Sequence, residues 1–399
     1  MAERSLKLGV AGLGRAFMLM LPTFAADRRI ALVGAADPRP EARDRFSRDF
    51  AAPAYASVEA LCAARDVEAV YIATPHQFHL RHVLSAVAHG KHVMVEKPMA
   101  LTIEECKAMI EAADRSKVRL LVGHSHSFDA PYLLTRRLIE GGAFGGVRMI
   151  TAINYTDYLY RPRREEELAT DRGGGVVFSQ AAHQADVVRL LGGGRVSGVR
   201  AATGSWDRSR PTEGAYSAIL TFEGGAFASM TYSGYGHFDT DELSDWVGEM
   251  GEKRQPDQYG AARAALGHAA SPQEEAALKA ERAYGAVASR HSDVAGPPDY
   301  YNHFGLVIAS CEHADLRPTP SGVMIYADQE RRFEPLPKPV VPRSEVVDEL
   351  YEAVVLNGVP RHSGAWGQAT LEVCLAILSS SQSGGEITLE HQIPWPGGC

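Results

Sequence analysis

"LGVAGLGRAF", residues 8–17, decides the fold. An apolar, strand-like run ends on Gly12, and Gly14 stands two residues on, where a strand-to-helix turn brings backbone amides close to a pyrophosphate. The third glycine of a G-x-G-x-x-G fingerprint falls on Phe17, so the motif is incomplete, and an ordinary strand-to-helix turn would leave the same trace. Context favours the nucleotide reading. A second apolar run, "IALVGAAD" (30–37), closes on Asp37 at the distance where a carboxylate accepts from the adenine ribose hydroxyls and repels a 2′-phosphate. NAD is the expected cofactor. Arg39 leaves NADP open, because a guanidinium there can pair with the extra phosphate. Gly12, Gly14, Arg15, Ala16 and Asp37 are the expected contacts at this end.

Outward from that stretch, short apolar runs alternate with helical patterns as far as Val122: "AVYIAT" (69–74), "HVMVEK" (92–97) and "RLLVGH" (119–124), with "PEARDRFSRDF" (40–50) and "TIEECKAMIEAADRS" (102–116) between them. Thr102 and Glu105 read as a capping box. The pattern predicts an α/β chain whose residues 1–127 form a Rossmann dinucleotide-binding domain on a parallel sheet. From 128 to 399 the runs alternate in polarity, as in "GGVRMITAINYTDYLY" (145–160), "GVRAATGSW" (198–206), "AYSAILTFEGGAFASMTYSG" (215–234) and "GVMIYADQERRFEPL" (322–336). They predict a second α/β domain with a mostly antiparallel, open sheet, one face covered and the other left for a partner, hence a homo-oligomer. An Ala-rich, charged stretch at about 236–298, with a helix start at Ser271-Pro272-x-Glu274, reads as a helical insertion. "GQATLEVCLAILSSS" (367–381) reads as an amphipathic helix packed back on the body.

Composition narrows the function. The chain has 399 residues and a net charge of -8, so nucleic acid is not an expected partner. Cys62, Cys106, Cys311, Cys374 and Cys399 form no C-x-x-C pair, which argues against a disulfide framework or thiolate metal site and for a reducing cytoplasm. "MAERSLKLGV" passes into a strand with no basic leader, and "AFMLMLPTF" (16–24) is too short to span a bilayer, so no membrane is expected. His76, His79 and His82 recur at a spacing of three, which spreads them round a helix, so no metal is expected. His124 and His126, with no thiolate or carboxylate taken to complete a site beside them, are read as lining a substrate cleft.

"ATPHQFH" (73–79) and Glu96-Lys97-Pro98 follow the fourth and fifth strand-like runs, where open α/β sheets bind ligands. Thr74, Pro75, His76, His79, Glu96 and Lys97 are therefore added to the cofactor contacts. An exposed Glu-Lys pair is the plainer reading of the last two.

These elements, with "IEGGAFGGVRMI" (139–150) and "GGGVVFSQAAHQAD" (173–186), resemble the glucose-fructose oxidoreductase / inositol dehydrogenase (Gfo/Idh/MocA) family over nearly the whole chain apart from the insertion. The resemblance implies a Rossmann domain followed by an α/β domain whose open sheet often serves in oligomerisation. It also implies that Lys97 and His183 are catalytic beside the nicotinamide. The family often carries an aspartate four residues before the histidine. Here that position is Ser179, which can hold or relay a proton without being a carboxylate base. Within the family, "GHSHSFDAPYL" (123–133), "NYTDYLYRPRREEEL" (154–168) and "SCEHADLRPTPSGVMIYAD" (310–328) look most like the phthalate 4,5-cis-dihydrodiol dehydrogenases of aromatic catabolism.

That likeness gives "YLYRPRREEEL" (158–168) a use: a substrate with ring carboxylates needs planar, bidentate donors. If the backbone around Pro162 is extended, Arg161 and Arg163 project to one side. With Tyr160, Ser179 and His126 they are the expected substrate contacts. The competing reading pairs Arg163 and Arg164 with Glu165, Glu166 and Glu167 on an exposed helix start. The function expected is NAD-dependent oxidation of a carboxylated cis-dihydrodiol. A sugar or inositol dehydrogenase and a non-catalytic NAD(H)-binding sensor are the alternatives.

Overall fold

The computed structural model describes residues 4–258, 260–269, 271–286 and 298–397. Cys399 and residues 287–297 of the expected insertion lie outside them. The chain divides into two compact units: Met1–His124 with Ala276–Pro297 and Val341–Gln368, and Ser125–Glu275 with Pro298–Val340 and Ala369–Cys399. A single cut at 127 does not separate them, because the chain returns to the first unit twice. There Pro342 accepts from Thr23, and the His362 carbonyl accepts from the Val122 N–H.

In the first unit β1 (Leu6–Ala11), β2 (Ile30–Ala36), β3 (Ala54–Tyr55), β4 (Ala69–Ile72), β5 (His92–Val95) and β6 (Leu120–Val122) pair in the order β3-β2-β1-β4-β5-β6, every neighbour parallel. The crossovers are α1 (Arg15–Ala26), α2 (Pro40–Phe50), α3 (Val58–Ala63), α4 (His79–Ala88) and α5 (Ile103–Ser116). Strands covered on both sides must be apolar on both sides: β4 is buried at every residue, and β1 at all but Lys7. The order reverses between β1 and β4, which makes the carboxyl ends of those strands the ligand crevice of a doubly wound sheet. Thr102 caps α5 by accepting from the Glu105 N–H (3.2 Å), while the Glu105 carboxylate reaches the Leu101 N–H, one residue earlier than a capping box would have it.

In the second unit α6 (Ala130–Glu140) and α7 (Ala182–Gly192) accompany a nine-stranded sheet. Its strands are β7 (Val147–Tyr155), β8 (Val196–Gly204), β9 (Ala215–Phe222), β10 (Phe227–Ser233), β11 (Leu306–Cys311), β12 (Ala314–Thr319), β13 (Gly322–Ala327), β14 (Arg331–Pro335) and β15 (Ile387–Thr388). They run in the order β14-β13-β12-β11-β7-β10-β9-β8-β15, antiparallel except where β7 meets β10. β9 alternates strictly: Tyr216, Ala218, Leu220 and Phe222 are buried, while Ser217, Ile219 and Thr221 are exposed. The insertion is helical as expected in α8 (Ala261–Leu266) and α9 (Pro272–Ala280), and the Ser271 hydroxyl accepts from the Glu274 N–H.

Two expectations need correction. "YTDYLY" does not prolong β7: the strand stops at Tyr155, the Thr156 hydroxyl accepts from the Tyr158 N–H, and Tyr158–Tyr160 make a 3-10 turn. The helix near the end, α11 (Gly364–Ser383), which follows α10 (Ser344–Val354), has no solvated face over Trp366–Cys374, since every one of those residues is buried. Its Gln368, Thr370 and Glu372 are buried polar groups, not a solvent stripe.

Candidate active site

The turn after β1 is built for a close backbone approach. Gly12 has φ +93°, and a Cβ there would stand 2.8 Å from the Ala73 carbonyl oxygen after β4. Gly14 is the N-cap of α1 and offers no side-chain cap; a Cβ on it would meet nothing within 4 Å. The first turn of α1 contains Arg15 and no acidic residue, so no carboxylate of its own competes for the orphan amides of the helix start. This cradle fits the pyrophosphate of a dinucleotide. Asp37 is 5% exposed; one oxygen accepts from the Leu13 N–H at 2.8 Å and the other from the Arg39 N–H at 2.9 Å. The Arg39 guanidinium also closes on that carboxylate, at 2.9 and 3.1 Å. Asp37 therefore has its charge already paired with Arg39.

The loops after β4 and β5 are tied by an imidazole. His79 is fully buried, its Nε2 2.9 Å from the Thr74 carbonyl and its Nδ1 3.1 and 3.2 Å from the carbonyls of Pro98 and Met99. His79 was expected to touch cofactor. Instead both ring nitrogens serve the protein, and burial holds its pKa below the ordinary histidine value. Thr74, Pro75 and His76 are partly exposed on the loop it anchors, and the Lys97–Pro98 peptide is cis. Glu96 accepts from the Tyr71 hydroxyl and from the His124 N–H (3.4 Å). Burial raises the Glu96 carboxyl above the usual carboxylate range, against the Tyr71 hydrogen bond and the Lys97 charge.

In the second unit His183 is the second residue of α7, directly after a π-turn over Val177–Ala181. Single π-turns inside helices are frequent where a side chain has to be aimed. Ser179 lies in that turn, and its hydroxyl donates back to the Gly175 carbonyl. His183 is 8% exposed, and its ring centroid lies 4.8 Å from that of His126 at 68°. His126 Nδ1 stands 2.7 Å from Asp129 Oδ2, with both residues buried. Phe304 packs against both imidazoles, at 4.9 and 5.3 Å. The carboxylate that sequence reading found missing beside His126 is Asp129, three residues on.

The arginines are held by the protein's own groups. From Arg161 the backbone is extended (φ -69°, ψ 141°). Arg161 Nε donates to Asp157 (2.9 Å), its Nη1 lies 3.6 Å from Glu249, and its Nη2 has no acceptor among the described residues. Burial opposes its charge, yet Glu249 and Asp157 raise its pKa further above the ordinary range. Arg163 lies on the Tyr158 ring, 3.5 Å from the centroid, and donates to the Tyr158 carbonyl. Arg164 pairs with Glu166 and Glu167. Tyr160 donates to Asp207 (2.9 Å) and is covered by Arg263 of α8 at 3.9 Å. Nearby in chain order, Asp241 is pushed up to about 7 by burial and by Asp239, although both share Arg254. Among the described residues no group of three or more His, Cys, Asp or Glu is placed to hold a metal ion, and no helix is long and apolar enough to cross a membrane.

The comparisons with known proteins bear on both units. Residues 6–124 match the oxidoreductase family with an NAD-binding Rossmann fold, and residues 132–251 match the GFO/IDH/MocA C-terminal domain. A 1-carboxy-3-chloro-3,4-dihydroxycyclohexa-1,5-diene dehydrogenase of Comamonas testosteroni is 48% identical over 381 residues, 94% of this chain and 95% of that one. The chain belongs to the Gfo/Idh/MocA oxidoreductase family. Like other members, this Gfo/Idh/MocA protein is an NAD(P)-dependent oxidoreductase, and NAD is the cofactor of its first unit. A Bordetella bronchiseptica RB50 protein assigned as a dehydrogenase superposes with a TM-score of 0.90 at 39% identity, covering 96% of this chain and all of that one. An inositol 2-dehydrogenase of Rhizobium meliloti (strain 1021) is 27% identical over 62% of this chain and 74% of its own.

Sequence reasoning missed Tyr71 under Glu96, Asp129 on His126, Phe304 against both imidazoles and Arg263 over Tyr160. Only Asp129 left a readable trace, as the N-cap before Ala130-Pro131. The others come from distant parts of the chain.

Proposed function

We propose that this Gfo/Idh/MocA oxidoreductase dehydrogenates a cis-dihydroxycyclohexadiene that carries a ring carboxylate, with the phthalate 4,5-cis-dihydrodiol as the dicarboxylate member of that class. The observation that carries the reading is the near full-length, 48% likeness to a dehydrogenase whose name describes a carboxylated ring diol. His183 is the proposed base for the hydroxyl proton, with the His126 and Phe304 rings packed against it. Lys97 polarises the hydroxyl oxygen. His126, oriented by Asp129, hydrogen-bonds the second hydroxyl, and Ser179 holds the turn that aims His183. Bound NAD accepts the hydride. Arg161 offers Nη2 to the carboxylate, while Tyr160 and Arg163 shape the wall beside it. A product ketol that enolises to an aromatic ring makes the oxidation one-way.

The deciding experiment follows reduced-nicotinamide absorbance with NAD or NADP and a panel of cis-dihydrodiols bearing no, one or two carboxylates, with myo-inositol and glucose alongside. Carboxylated diols are the expected substrates, with NAD preferred. Arg161→Ala is expected to raise KM for them about 10- to 100-fold, the loss of one charge-assisted hydrogen bond. Turnover of polyols alone would return the protein to the sugar and inositol dehydrogenases, and NADH binding without any turnover would make it a sensor.

We also propose that the outer face of the nine-stranded sheet mates with a second copy. Phe227, Met149 and Ile219 are 46%, 38% and 47% exposed, and Phe227 pairs in register with Met149 on β7. A self-complementary β-rich face of this kind suits a two-fold dimer. Ile219→Lys with Phe227→Lys is expected to halve the mass measured by light scattering; an unchanged mass would place any assembly elsewhere.

A further inference from the structure

The fingerprint's odd residue and the insertion's last described residues meet. Phe17, where a third glycine was expected, is fully buried, with its ring centroid 6.4 Å from Phe46 and 5.3 Å from Tyr284, edge-on to the latter at 78°. Tyr284 belongs to Glu281–Ala286, the tail that follows α9. It too is fully buried; the Arg45 guanidinium lies 4.9 Å over its ring, and its hydroxyl donates to Asp49. The seat continues at Gly285, which has φ +86° and where a Cβ would stand 2.7 Å from Ala42 Cα on α2. The Tyr284 N–H donates to the Leu13 carbonyl (3.2 Å). Leu13 is the residue between Gly12 and Gly14. Its carbonyl also accepts from Arg39 (2.9 Å), and its N–H donates to Asp37. The tail therefore enters the same hydrogen-bonded set that carries the pyrophosphate turn and the ribose carboxylate.

We propose that Glu281–Ala286 is a cofactor strap, docked through Tyr284 into an aromatic seat made by Phe17, Phe46 and Arg45, and that docking and NAD binding stabilise each other through Leu13. A glycine at 17 could not form this seat, which accounts for the departure from the fingerprint. Ordering Leu13 presets the amides of Gly12 and Gly14, so the dinucleotide meets a turn already shaped for it. By linkage, bound dinucleotide must hold the strap down as strongly as the strap holds the dinucleotide. Tyr284 is a positioning residue; it acts through Leu13.

The test reads binding, not turnover. In the full-length protein, Tyr284→Ala is expected to weaken NADH about tenfold in a fluorescence titration. Gly285→Val, which unseats the strap without touching the rings, should move the same way, while Tyr284→Phe stays within about twofold. In the unaltered protein, NADH should slow hydrogen exchange in the peptide covering 276–286. Wild-type affinity in both Tyr284→Ala and Gly285→Val would overturn the proposal. If those variants fail to fold, exchange in the wild-type peptide decides: protection by NADH upholds the strap, and indifference to NADH removes it.

Discussion

Replacing His183 with alanine is expected to lower kcat by about two to four orders of magnitude, the range for loss of a general base. NADH affinity should stay unchanged, because His183 lies outside the nucleotide unit. The size of the effect follows from the packing. His183 is 8% exposed, is set by the π-turn before it, and is flanked by Phe304 and the His126 ring, so water cannot readily stand in for the missing imidazole. Lys97→Met is expected to lower kcat as well, without changing NADH affinity by more than a few-fold. The measurement is steady-state kinetics with the best diol from the substrate panel. A His183→Ala enzyme within tenfold of wild type would move the base elsewhere, and the His126–Asp129 pair would then be the group to examine.

Why the first unit was legible and the second only partly so has a physical answer. Parallel strands are local statements: β1, β2, β4, β5 and β6 each announce themselves as apolar runs followed by turn residues, and only the two-residue β3 was too short to show a pattern. The nucleotide turn was legible because Gly12 needs a positive φ and a missing Cβ, which glycine alone supplies. The second unit rests on pairings across long separations. β11 and β12 do not stand out as strands in the sequence, and the burial of α11 cannot be read from its own sequence, since its polar residues pair with side chains farther along the chain, as Glu372 does with His391 and Gln392. The arginine stretch shows the limit most sharply. Three guanidiniums in eleven residues pointed to an anionic ligand, but Glu249, more than eighty residues on, and Asp157 already answer Arg161, and Tyr158 occupies the face of Arg163.

The largest effect on stability is expected from Arg189→Met. Arg189 lies two turns beyond His183 on α7, is fully buried, and donates to Thr370 (2.7 Å) and Gln392 (3.0 Å). Burial lowers its pKa to about 10, opposed by the charges of Asp186 and Glu372, so the guanidinium stays charged at neutral pH. Its loss leaves the Thr370 hydroxyl and the Gln392 side-chain oxygen without their charged donor. Two hydrogen bonds to a charged group are worth roughly 3–5 kcal/mol together, which for a chain of this length lowers the melting midpoint by about 5 °C. Arg189→Lys keeps the charge but not the planar fork, so it should recover only part of that loss. Calorimetry on the three proteins separates these terms. Equal midpoints for wild type and Arg189→Met would mean that the bonds to Thr370 and Gln392 contribute nothing net to the fold. An Arg189→Lys variant as stable as wild type would mean that the charge, and not the fork, is what seats α7. At temperatures where Arg189→Met remains folded its kcat should be near wild type, because what Arg189 supplies is the seating of the helix and not the chemistry of His183.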